Sequence, residues 1–215
     1  MYKSIQVERR DLMLAIFLAP IYILLNIYVL RWGYLWIGNC HHLFQSRIFR
    51  IILTVIYTLI ALTPLTGFLI RKPAFLHRIL KITSNYFLGI FMYILMVLFS
   101  IDIVRLILKY AVHASWIQSR IVFAAVGACC ICIVIIISFS GIYHAKHIKV
   151  TPYKITVDKS APDMDSLKIV LLADTHSGYN SGAVHAQEIV DKINEQNPDL
   201  VCIAGDIFDN EYDAV

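Results

Sequence analysis

Four residues near the C-terminus have the types and spacing to do chemistry: Asp174 and His176 in ADTH, and Asp206 and Asp209 in AGDIFD. Carboxylate and imidazole side chains together suit a borderline divalent metal such as Mn, Fe, Zn or Co. Each pair follows an apolar run, LKIVLLA at 167–173 and DLVCIAG at 199–205. Such near-continuous runs read as strands buried on both faces of a parallel sheet. Between them, Val184, Ile189, Val190 and Ile193 share a helical face over 183–196, Glu188 and Lys192 form an i,i+4 pair, and Asn197-Pro198 stops the helix. The order β-loop-α-β is a parallel unit with a right-handed crossover. Ligands of an open parallel sheet gather beyond the carboxyl ends of its strands. Neighbouring strands lie about 4.8 Å apart, so Asp174, His176 and Asp206 are expected to converge. Gly205 lets the backbone turn closely there. Asp206 is placed to bridge two ions, and Asp209, a turn further on, to orient a ligand rather than to bind one.

The rest of the chain is of another kind. Of 215 residues, 59% are hydrophobic and 16% charged, against about 45–50% and 25% in soluble domains. Residues 1–150 carry 15 Lys/Arg against 3 Asp/Glu, a net of +12, and residues 151–215 carry 4 against 12, a net of −8. Four apolar runs, about 12–30, 51–70, 86–109 and 121–143, approach the roughly 20 residues that cross hydrocarbon as a helix. The first is too long for a cleaved signal peptide and lacks a small-residue cleavage site. Basic residues near the ends favour both termini in the cytoplasm, ten on that side against five or six on the other. Pro64 is expected to kink the second span, with Thr54, Thr58 and Thr63 re-satisfying freed backbone groups. Asp102 and Arg105, three apart, share a helix face and pair. With Asn26 they offer the only material for an ion path, and they read instead as a packing pair near the interface. Cys129, Cys130 and Cys132 read as small packing residues rather than a soft-metal site. TPYKITV at 151–157 alternates and reads as a short strand.

The D-x-H at Asp174-Thr175-His176 and the G-D-x-x-D at Gly205-Asp206-Ile207-Phe208-Asp209 resemble the first two motifs of the calcineurin-like metallophosphoesterases, in strand context and in their separation of about thirty residues. Preceding spans look like a membrane-bound branch of that family. The resemblance covers about 167–213 and says nothing specific of the spans. It implies two divalent ions, with Asp174 and His176 on the first, Asp206 bridging both and Asp209 holding the cluster in place. It further implies in-line attack of water on phosphorus.

The expected architecture is therefore a multi-pass α-helical membrane region of four transmembrane helices (1–147), followed by a partial α/β metallophosphoesterase domain (148–215), the β-α-β start only. These 215 residues do not contain the family's later G-N-H-D/E and G-H-x-H motifs. Gly38-Asn39-Cys40-His41-His42 and His144-Ala145-Lys146-His147 are poor substitutes, both preceding the domain. No catalytic residue is identifiable, no substrate-binding residue is assigned, and little or no phosphatase activity is expected of these residues alone. The leading reading is a membrane-anchored metal-dependent phosphoesterase acting on a phosphate ester or pyrophosphate, with the bilayer as partner and a lipid-linked or membrane-proximal phosphate as substrate. It would sit in the cytoplasmic membrane. The alternative is a non-enzymatic four-helix membrane protein with a degenerate phosphoesterase-like tail. Nucleic-acid binding is disfavoured, because the basic residues flank spans and the tail is acidic.

Overall fold

The computed structural model describes residues 2–70, 72–158, 166–175, 178 and 182–207. Its contacts divide the chain into two units, Met1–Ser138 and Phe139–Val215. Helices α1 (Tyr2–Cys40), α2 (Arg47–Ala61), α3 (Thr63–Leu69), α4 (Ala74–Tyr110) and α5 (Arg120–Lys146) precede β1 (Ile169–Ala173), α6 (Gly182–Glu195) and β2 (Leu200–Ala204). Four stretches are long and apolar enough to cross a membrane: Leu18–Cys40, Arg47–Gly67, Ala74–Tyr110 and Arg120–Lys146. Their outer faces are apolar, with Met96, Ile103 and Ile136 all more than half exposed. That pattern suits lipid, which solvates such surface as well as a protein interior does.

The first helix runs on beyond the apolar run at 12–30, reaching Cys40. Trp32 and Trp36 prolong it because their indole N–H groups find partners: Trp32 Nε1 donates to Asp102 Oδ1 at 3.2 Å and Trp36 Nε1 to the Ala124 carbonyl at 2.9 Å. The third span is likewise longer, one continuous helix from Ala74.

Pro64 breaks the second span into α2 and α3 rather than merely kinking it. Proline removes the N–H that the Ile60 carbonyl would take. The Thr63 hydroxyl donates to that carbonyl at 2.7 Å, and the Tyr22 hydroxyl of α1 donates to the Ala61 carbonyl at 2.6 Å. Thr54 donates back to the Arg50 carbonyl at 2.7 Å. Asn26 serves packing: its Nδ2 donates to the Tyr22 carbonyl and its Oδ1 accepts from the Tyr57 hydroxyl, both at 2.8 Å.

The helical core is built on Trp32, Leu98 and Cys130, flanked by Tyr28, Trp36, Ile101 and Phe123. Cys130 is buried while Cys129 and Cys132 are exposed, so the cysteines are spread over the helix and one serves the core. A second cluster stacks Phe87 on Phe91 at 5.5 Å, with Tyr22 edge-on to Phe91 at 5.8 Å.

In the second unit β1 and β2 pair in parallel, Ile169 opposite Leu200 through Ala173 opposite Ala204, with α6 between them in sequence. The expected strand at 151–157 is not formed; that stretch has no regular structure. Alternation arranges side chains, but a strand exists only where its N–H and C=O groups meet a partner, and Tyr153 and Ile155 stand exposed. Nor are β1 and β2 buried on both faces: Ile169, Leu171 and Ile203 are more than half exposed. In α6, Lys192 donates to Glu195 at 2.8 Å instead of pairing with Glu188, which lies 3.8 Å from His185.

Gly127 tests the helical packing. A Cβ there would overlap the Trp36 indole, whereas one at Gly89 would meet nothing within 4 Å. Gly127→Ala is expected to cost about 1–3 kcal/mol through overpacking and to lower the thermal midpoint in detergent. Gly89→Ala should leave it unchanged or raise it slightly. Equal midpoints for the two variants would refute this packing.

Candidate functional site

The C-terminal ends of β1 and β2 are tied together by the residues that the motifs place there. Beyond the last ladder pair, the Asp174 amide donates to the Ala204 carbonyl at 3.0 Å. The Asp206 amide then donates to Asp174 Oδ1 at 3.3 Å. One residue on, the Thr175 hydroxyl donates to the Ile207 carbonyl at 2.9 Å. Three bonds between two adjacent loops hold both strand ends in one register. At the other end the Lys168 amide donates to Asp199 Oδ2 at 2.7 Å, and the Asp199 amide to the Lys168 carbonyl at 2.8 Å.

The backbone here takes conformations that few residues accept. Asp174 has φ 49° and Gly205 has φ 76°. Aspartate tolerates the left-handed region better than most residues, and glycine does so freely. A Cβ on Gly205 would overlap the Asp174 carboxylate. Glycine is therefore required on two counts, its own φ and the room it leaves for a neighbouring carboxylate. Asn197, with φ 46°, closes α6 in the same left-handed conformation ahead of Pro198.

The structure thus brings Asp174 and Asp206 together. Both lie on the exposed rim of the sheet, where a ligand has access. His176 and Asp209 lie outside the described residues. Among the described residues, no three His, Cys, Asp or Glu side chains gather as a metal site would. Thr175 was not singled out by spacing arguments, yet it ties one loop to the other. The available signal was a hydroxyl between two candidate ligands, directly after a strand. The Lys192–Glu195 hydrogen bond raises the ammonium pKa above its ordinary value, an effect of the α6 surface and not of the rim.

Residues 167–214 match the family described as calcineurin-like phosphoesterase. A transmembrane protein with metallophosphoesterase domain from Danio rerio is 41% identical over 63 residues, covering 29% of this chain and 14% of that protein. Its namesake from Bos taurus is 40% identical over 62 residues, with the same coverage. A metallophosphoesterase from Campylobacter jejuni is 40% identical over 60 residues, 27% of this chain and 16% of that one. The matches thus cover about a seventh of the length of these relatives. No solved structure matches the chain. Over residues 167–214 the chain is thus similar to the calcineurin-like phosphoesterase family, and this stretch follows four helices long and apolar enough to cross a membrane. The family generally uses divalent metals.

Replacing Gly205 should disturb this rim more than any neighbouring change of equal size. Gly205→Ala is expected to cost about 1–2 kcal/mol for the left-handed φ alone, with the overlap on Asp174 added. The Asp174 amide, protected by the Ala204 carbonyl, should then exchange with solvent faster by roughly tenfold or more. Unchanged exchange at Asp174 would contradict the close approach.

Proposed function

We propose that this protein is a membrane-anchored, metal-dependent phosphoesterase that hydrolyses a phosphate ester or pyrophosphate at a dinuclear site. The observation that carries this reading is the Asp206 amide on Asp174 Oδ1, which brings the Asp206 backbone against the Asp174 carboxylate at the strand ends. Asp174 and His176 would hold one ion and Asp206 would reach both, with Asp209 keeping the cluster in place. The donor set fits the group. One oxygen of Asp174 is engaged by a backbone amide, which fixes the carboxylate's orientation, while Oδ2 accepts no hydrogen bond among the described residues. Divalent ions, when bound, would supply the positive charge that neutralises phosphate oxygens and activates water. Gly205 keeps the approach to Asp174 open, and Thr175 holds the two loops together so that the carboxylates need not reorganise on binding.

The bilayer is the anchor, and a lipid-linked or membrane-proximal phosphate is the substrate class that such an anchor favours. We place the protein in the cytoplasmic membrane with both termini in the cytoplasm, on the excess of basic residues at that side of the spans. Nucleic acid is not a partner in this reading, because the soluble segment is acidic, with 4 Lys/Arg against 12 Asp/Glu over 151–215.

The test reads metal directly. Mn2+ titrated into the full chain in detergent, followed by electron paramagnetic resonance, should reveal a site weakened by about tenfold or more in Asp206→Asn and in Asp174→Asn. Asp199→Asn, at the opposite end of the sheet, should leave it unchanged. Identical Mn2+ affinity in all three variants would overturn the metal assignment.

A further inference from the structure

The end of the helical unit that carries the loops 41–46 and 111–119 holds an arrangement that the phosphoesterase reading does not use. Arg31 of α1, Arg105 of α4 and Arg120 of α5 line two neighbouring cavities. The larger, about 270 Å³, has Arg105, Arg120 and Asn39 as its polar lining, with Leu35, Ile117 and Phe123 as its apolar wall. The smaller, about 230 Å³, sets Arg31 and Asp102 beside Arg105. Arg105 and Leu35 border both cavities, so the Arg105 guanidinium stands where the two meet.

That guanidinium has donors to spare. The Asp102 carboxylate beside it is already engaged by neutral groups: the Tyr28 hydroxyl donates to Oδ2 at 2.8 Å and Trp32 Nε1 to Oδ1 at 3.2 Å. Among the described residues Arg105 makes one hydrogen bond, to Asp102 at 3.4 Å, at the long edge for such a bond. A guanidinium carries five N–H donors. Arg105 is held instead by its face, which lies 4.6 Å from the centroid of the Phe123 ring and leaves its edge open. Arg120 is braced through its edge instead, its Nε donating to the Asn39 carbonyl at 2.7 Å and its Nη2 to the Gly38 carbonyl at 3.4 Å. Arg31 is exposed.

Arg105, held by its face, and Arg120, held through Nε and Nη2, thus line one cavity, the exposed Arg31 and Asp102 line the next with Arg105, and the hydrogen bonds of Asp102 are largely met by neutral groups. Guanidinium forks match the oxygens of a phosphate. The apolar wall beside them suits a ligand with an apolar body, as a phospholipid in the surrounding leaflet has. We propose that this pocket binds the phosphate group of an anionic phospholipid, with Arg105 and Arg120 as its principal donors and Arg31 at its mouth. Asp102 positions Arg105 and weakens the site by its own charge. Inorganic phosphate shares the recognition chemistry but lacks the apolar body, so binding to it should be weak.

The experiment is native mass spectrometry of the full chain in detergent, titrated separately with phosphatidylglycerol, phosphatidylcholine and inorganic phosphate. Phosphatidylglycerol should be retained in preference to the other two. Arg105→Gln with Arg120→Gln should weaken that retention by about tenfold or more. Arg47→Gln with Arg50→Gln, which removes equal charge outside the cavities, should not. Asp102→Asn, which keeps an acceptor for Trp32 Nε1, should tighten it severalfold, a change opposite to that expected of a merely structural carboxylate, and the preference of the unsubstituted chain for phosphatidylglycerol over phosphatidylcholine is readable even if a variant fails to fold. Equal retention of phosphatidylcholine, equal loss in the Arg47/Arg50 variant, or weaker binding in Asp102→Asn would overturn the site. Inorganic phosphate displacing the lipid at equal concentration would overturn the lipid assignment.

Discussion

A carboxylate inside an apolar helix is the constraint around which the helical unit is arranged. A charge within a membrane span is expensive unless it finds partners. Asp102 finds them on two helices, in the Tyr28 and Trp32 side chains of α1 and in Arg105 one turn along α4. Arg105 in turn lies on Phe123 of α5. A single acidic residue thereby fixes the mutual register of three helices. Apolar contact alone would specify that register poorly, because lipid tails are as good a neighbour for leucine as another helix is. The core residues Trp32, Leu98 and Cys130 lie among the same helices.

The same medium explains the hydroxyl groups around Pro64. Hydrocarbon offers no water for a freed carbonyl, so each one must be met from within the protein. Thr63 meets Ile60 from inside the break, and Tyr22 meets Ala61 from a neighbouring helix. The repair is thus also a contact, since the Tyr22 hydroxyl ties α1 to the broken span. Asn26 adds a second tie through Tyr57. Polar residues in these spans serve helix association before any transport path.

Much of this was legible in the sequence, for identifiable reasons. Helices in lipid need only length and hydropathy, so four spans could be read directly, and the Asp102–Arg105 pair follows from a spacing of three. The span ends were less legible because Trp32 and Trp36 are polar or apolar according to whether their N–H groups have partners, and those partners lie 70 and 88 residues away. The strand at 151–157 misled because alternation is a local property and pairing is not. The two strands at 167–173 and 199–205 were legible because each is a short, near-continuous apolar run, and the parallel register brings the motifs that follow them together. Thr175 was missed because its partner, the Ile207 carbonyl, belongs to the other loop.

The two carboxylates that matter most here are handled by one physical device. Asp102 and Asp174 each have an oxygen engaged by a neutral donor, Trp32 in one case and the Asp206 amide in the other. A neutral donor fixes orientation without cancelling charge. At Asp102 the consequence falls on the neighbour: Arg105 is positioned but not consumed, and its N–H groups remain available to an outside anion. At Asp174 the consequence falls on the carboxylate itself, whose second oxygen accepts no hydrogen bond among the described residues. Had either aspartate been closed by a short bidentate arginine pair, both the charge and the donors would have been spent within the protein. Gly205 belongs to the same logic, because a side chain there would occupy the space of the Asp174 carboxylate, and the orientation that the amide imposes would be lost.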